Sequence, residues 1–142
     1  MKWPDFSELG QRLRIGAGDR VALINAPSGY EHVIPGVDGS TPDRADVVIG
    51  FIAGRGDLDL LSALYDAVLA GGRGWLAYPK PRRSEVDLQM HRDWLAREVR
   101  RYGVHSMVHV SIDESWSALD VEAIALDGDE ASLAEADLAW PV

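Results

Sequence analysis

The sequence predicts a single three-layer α/β domain built on a mostly parallel sheet of about five strands. Apolar runs of strand length alternate along the chain with amphipathic stretches of helix length. Strand–helix–strand units closed by short loops imply parallel strands joined by right-handed crossovers. The last two strand segments are joined by only "DESW", Asp113 to Trp116, so they pair as an antiparallel hairpin.

Each element has a local cause. Residues 5–14, "DFSELGQRLR", make a short amphipathic helix with Phe6, Leu9 and Leu13 on one face. "IGAGD" turns the chain into a first strand at 20–25, with Gly16 and Gly18 as turn punctuation. An irregular segment then runs from Ala26 to Ala45, holding Pro27, Pro35 and Pro42 with Gly29, Gly36 and Gly39. "GYEHVI" is expected to make a helical turn within it. A loop of this length inside a compact domain is uncommon and often functional.

The second strand, at 46–53, is apolar almost throughout, as a strand buried on both faces must be. Asp57 is placed to cap a helix to about Ala70, with Leu58, Leu61, Leu64, Tyr65 and Val68 on one face. Gly71-Gly72 ends that helix, and "GWLAY" is a third strand ending at Pro79. Ser84 and Asp87 form a capping pair for a helix over 85–102, which Gly103 stops. The hairpin follows, as strands over 104–112 and 117–126.

Composition narrows the function classes. A chain of 142 residues with 46% apolar residues supports one packed domain, here assigned to 1–126, followed by an acidic tail at 127–142. Cysteine is absent, which excludes disulfides, thiolate metal sites and a cysteine nucleophile. The net charge of −9 argues against binding a nucleic-acid backbone or an anionic membrane. "MKWPDFSELG" has no signal-peptide pattern and no run is long enough to span a membrane, so a cytoplasmic setting is expected. The tail carries Asp127, Asp129, Glu130, Glu135 and Asp137 with no base; "KPRR", Lys80 to Arg83, has the opposite bias.

The strand order resembles the second half of a class I SAM-dependent methyltransferase domain. Asp46 with "VVIGFI", Gly71-Gly72 before "GWLAY", and the closing pair at 104–126 carry that likeness. The family's second and third strands are missing, replaced by the loop at 26–45. A closer resemblance is to an uncharacterised bacterial family of short Rossmann-like domains, a domain of unknown function. It rests on Leu23-Ile24-Asn25-Ala26-Pro27 with Gly29-Tyr30, Ala45-Asp46-Val47, Gly71-Gly72-Arg73-Gly74-Trp75 with Tyr78-Pro79-Lys80, and Asp113-Glu114-Ser115-Trp116-Ser117. These resemblances imply a Rossmann-like fold and make SAM a possible cofactor. They also expose a departure. A methyltransferase has a glycine-rich bend after its first strand and a ribose-binding carboxylate after its second, whereas Asn-Ala-Pro-Ser-Gly stands here and the second strand is absent.

In an open parallel sheet, ligands bind beyond the carboxyl ends of the strands. That edge should gather Asn25, Ser28, Tyr30, Arg55, Asp57, Tyr78, Lys80, Arg82, Asp113, Glu114 and Trp116. Lys80, stiffened by Pro79 and Pro81, can meet a phosphate or carboxylate, or pair with Asp113 or Glu114. Trp116 can stack on a flat ligand or close the core beneath the hairpin. Asn25 can bind a ligand or satisfy its own loop. No metal site is expected. On one strand, His105 and His109 would lie about 13 Å apart at roughly 3.3 Å per residue, too far for one ion. No G-x-S-x-G elbow is present, so no hydrolase triad is expected. The reading is a non-catalytic ligand-binding or protein-interaction module, oligomeric or not. Its rivals are a SAM- or nucleotide-binding enzyme and a purely structural partner domain.

Overall fold

The computed structural model describes residues 4–80 and 88–124. Within them lie helices α1 (Pro4–Arg12), α2 (Ser62–Leu69) and α3 (Leu88–Glu98). The strands are β1 (Val21–Ile24), β2 (Val47–Phe51), β3 (Arg73–Pro79), β4 (Val104–His105), β5 (His109–Ser111) and β6 (Trp116–Ala123). β1, β2 and β3 are parallel neighbours, in a register that sets Val21 beside Val47 and Val47 beside Arg73. β6 runs antiparallel between β3 on one side and β4 with β5 on the other. The mostly parallel sheet with its antiparallel hairpin is as expected from the sequence, and β6 sits inside the sheet, between β3 and the β4 and β5 strands.

Strand alternation divides the core into two layers. Val48, Ile52, Leu76, Tyr78, Leu119 and Val121 face Leu61, Leu64, Tyr65 and Val68 of the α2 region and Leu95 of α3. Val47, Ile49, Phe51, Trp75, Ala77 and Ala118 face the other way, onto Leu9, Leu13 and Ile34. The second layer is therefore built from α1 and the loop after β1. Trp75 ties it down, its indole N–H donating to Leu13 O at 2.9 Å.

The segment 104–112, expected as one strand, is two. Asp120 of β6 is the cause. Its Oδ1 accepts the N–H groups of Met107 at 2.7 Å and Val108 at 2.8 Å, drawing both out of the ladder. β4 and β5 then lie in succession along β6, separated by this bulge. The helix expected from Asp57 also differs. Residues Arg55–Leu60 form a tighter 3₁₀ run, and Leu61, at φ −105° and ψ 31°, separates it from α2. α3 likewise passes into a 3₁₀ turn at Val99–Tyr102. The capping pair Ser84 and Asp87, Arg82 and the acidic tail lie outside the described residues.

The loop at 26–45 does structural work at the open edge of β1. "YEH", Tyr30–His32, forms the expected helical turn. Further on, Val21 N–H donates to Gly36 O at 3.0 Å, and Val37 bridges Val21 in the parallel sense. An unpaired edge strand invites foreign pairing, and this contact covers it. Only glycine serves at position 36. Its φ is +85°, and a Cβ there would lie 2.8 Å from Val21 Cγ2.

Gly74 marks the closest approach of α2 to the sheet. A Cβ on it would sit 2.5 Å from Val68 Cγ2 and 2.9 Å from both Leu64 Cδ1 and Val121 Cγ2. Gly74→Ala is expected to destabilise the fold by about 1–3 kcal/mol through overpacking. Urea denaturation should show a lowered midpoint with an unchanged slope.

Candidate functional site

The carboxyl ends of β1, β2 and β3 meet the β5–β6 turn, and most of the rim residues expected there do come together. β1 ends at Asn25, whose backbone turns left-handed at φ 60°. Its side-chain amide donates to Phe51 O at 3.1 Å, fastening the bend to the end of β2. Asp57 Oδ2 accepts the N–H groups of Ala53 at 2.8 Å and Gly54 at 3.2 Å, closing the turn after β2. Lys80 N–H donates to Ser115 O at 2.8 Å, and its ammonium reaches the Ser111 hydroxyl at 2.7 Å rather than Asp113 or Glu114.

Tyr30 joins the two sides of this edge. Its hydroxyl donates to Asp113 Oδ2 at 2.5 Å, across 83 residues of chain. Asp113 Oδ1 meanwhile accepts the N–H groups of Ser115 at 2.8 Å and Trp116 at 2.9 Å, which shapes the hairpin turn. Beneath this bond, Tyr30, Phe51 and Trp116 pack edge to face, with centroids 5.6, 6.3 and 5.1 Å apart. Trp116 therefore packs in the core beneath the hairpin. Burial, followed by the hydrogen bond to Asp113, pushes the Tyr30 hydroxyl up to about 12.

Ser28 and Glu114 stand exposed on the rim. Arg55 opens the 3₁₀ run after β2, which places its backbone at the edge. Tyr78 departs from expectation: alternation along β3 turns it into the helix-side core, where it is 2% exposed, and not toward Tyr30 and Trp116. Sequence reasoning missed Asp120. A carboxylate between Leu119 and Val121 in an apolar strand was the available signal, because a charge buried there must be paired or bonded. Among the described residues no group of three or more metal-ligating side chains assembles, and no helix is long and apolar enough to cross a membrane.

Held in the methyltransferase manner, adenosylmethionine would draw on N–H donors in the bend after β1 and on a carboxylate for its ribose. In the bend here several such donors are missing or already engaged. Pro27 has no N–H, the Tyr30 N–H is taken by Pro27 O at 3.2 Å, and the Asn25 amide is spent on Phe51. Beside β1 the loop contributes only the short Gly36–Val37 contact with Val21, and the Asp57 carboxylate is turned onto its own backbone.

The strand order, with parallel β1 to β3 and antiparallel β6 between β3 and the β4 and β5 strands, is that of a three-layer α/β domain on a mostly parallel sheet. No family model matches the chain, and no curated protein matches it. Nine chains of solved structures do. A chain of the fibrillarin/Nop5p complex is 13% identical with a TM-score of 0.47, over 83% of this chain and 66% of its own length. The ribosomal protein L11 methylase from Lactobacillus delbrueckii subsp. bulgaricus is 11% identical with a TM-score of 0.46, over 84% of this chain and 64% of its own. The chain thus spans just under two thirds of either protein.

The Tyr30 bond has a pH signature. The folded protein holds this phenol neutral up to about 12, whereas the unfolded chain ionises it near 10. Its contribution to stability is complete below pH 10 and is lost as pH rises through the folded value. Tyr30→Phe is expected to lower stability at neutral pH by about 1 kcal/mol and to flatten the loss of stability between pH 10 and 12. Denaturation at stepped pH, with tyrosinate absorbance, checks both.

Proposed function

We propose that this chain is a non-catalytic binding module of methyltransferase-like fold, and on its motifs we group it with the short bacterial Rossmann-like domains. The observation that carries the reading is the Tyr30–Asp113 bond over the Tyr30, Phe51 and Trp116 rings. Groups that would otherwise greet a nucleoside at this edge bind one another instead. The bend after β1 is stiffened by Pro27 and stapled to β2, so it has little freedom to reorganise around a ligand. A protein or small-molecule partner engaged elsewhere on the surface, in a cytoplasmic setting, belongs to the same reading.

Calorimetry distinguishes this from the rival SAM- or nucleotide-dependent enzyme. Adenosylmethionine, S-adenosylhomocysteine and ATP are each expected to give no binding heat with the wild-type chain. Micromolar binding of any of them overturns the reading. Lys80→Ala, which removes an exposed contact to Ser111, is expected to change stability by less than about 0.5 kcal/mol.

A further inference from the structure

At the amino end of the parallel strands, β6 finishes against β4, with Ala123 opposite Val104, and the Ile124 N–H then donates to Gly103 O at 3.1 Å. Gly103 closes the 3₁₀ turn at Val99–Tyr102 that continues α3. Everything beyond Ile124 is therefore tethered beside the last turns of α3.

Those turns are cationic. Arg97, Arg100 and Arg101 stand at i, i+3 and i+4, a spacing that puts them on one helical face, while Leu95 and Val99 take the core face. Arg97 and Arg101 are exposed. The acids beside them are Glu98, which accepts from Arg101 at 2.8 Å, and Asp59, which accepts the Tyr102 hydroxyl. Three guanidiniums against these two carboxylates leave a positive face on a chain of net charge −9. An apolar side chain is uncovered there too. Leu69 of α2 is 52% exposed and overlies Gly103, where a Cβ would lie 3.6 Å from Leu69 Cδ2.

The sequence beyond Ile124 has the complementary character. Leu126 comes two residues on, and Asp127, Asp129, Glu130, Glu135 and Asp137 follow with no base. At about 3.3–3.6 Å per extended residue, Asp127 reaches up to about 10 Å from Ile124 and Glu130 up to about 20 Å. Arg101 is only two residues from Gly103, the partner of Ile124, and so lies within that radius. Exposed ion pairs are individually weak, but a short tether supplies an effective concentration on the order of millimolar.

We propose that the acidic tail docks on its own domain, with Asp127, Asp129 and Glu130 against the Arg97, Arg100 and Arg101 face and Leu126 over Leu69. The tail is then the resident occupant of this face, and an acidic partner that uses these arginines has to displace it. The contact is at the other end of the sheet from the Tyr30–Asp113 bond, so it stands or falls separately from the reading of the carboxyl edge.

The test is NMR on the full chain, reading the Nε–Hε signals of the three arginines and the Leu69 methyls, with the Asn25 and Tyr30 amides as remote controls. Asp127→Asn, Asp129→Asn and Glu130→Gln together are expected to shift the arginine and Leu69 signals and leave the controls in place. Salt at about 1 M, where the screening length is about 3 Å, should move the wild-type signals in the same direction. Leu126→Ser keeps every charge and should still move the Leu69 methyls. With Arg97→Gln and Arg101→Gln in place, neutralising the tail should no longer move Leu69. The proposal is overturned if tail neutralisation leaves the arginine and Leu69 signals unmoved, or if Leu126→Ser leaves Leu69 unmoved. It is equally overturned if the wild-type signals depend on protein concentration, which would put the tail on a second copy. Should the arginine variant not fold, the salt titration and the tail variants decide.

Discussion

Trp116 lies opposite Pro79 and Val121 opposite Gly74 because β6 runs antiparallel to β3. That pairing governs both ends of the molecule. At the carboxyl end it delivers the Asp113–Trp116 turn to the bend after β1, so that Tyr30 can reach Asp113 and the three rings can close beneath them. At the amino end it stops at Gly74 with Val121, one residue from the start of β3 at Arg73. Had β6 lain at the sheet's rim, Trp116 would not have met Phe51 and Asp120 would have faced solvent instead of the core.

The carboxyl edge is a case of polar groups satisfied from within. Asn25, Tyr30, Asp57, Lys80 and Asp113 each hold a partner from another segment or from their own turn. Each such bond contributes only about 1 kcal/mol net, because water is given up in exchange. Their joint effect is larger than that figure suggests. A ligand entering here would have to break several of them and part the ring cluster, paying for reorganisation before gaining any contact.

Asp120 follows the opposite logic. One oxygen carries three bonds that define the bulge and the other carries none. The carboxylate thereby shapes the sheet edge and turns Met107 outward, at 69% exposure. Burying a charge to make a bulge is costly when a neutral residue could leave a regular ladder.

Much of the fold was legible in the sequence because hydrophobic periodicity is a local property. The apolar run at 46–53 marked a strand buried on both faces, Gly71-Gly72 marked a helix end, and the short "DESW" link marked a hairpin. The topological rule for parallel sheets was enough to bring Asn25, Tyr30, Lys80, Asp113 and Trp116 to one edge. It could not say that Tyr30 and Asp113 would bond each other, since that depends on how a loop of 20 residues folds over β1. Tyr78 was misplaced by one step of alternation, and Asp120 read as an ordinary strand residue until the donors of a separate segment converged on it. Periodicity along the chain determined which residues are strand, helix and core. Which polar groups are spent on one another, and which single oxygen is left over, was decided only by contacts between segments far apart in sequence, because hydrogen-bond partners are chosen by distance in space.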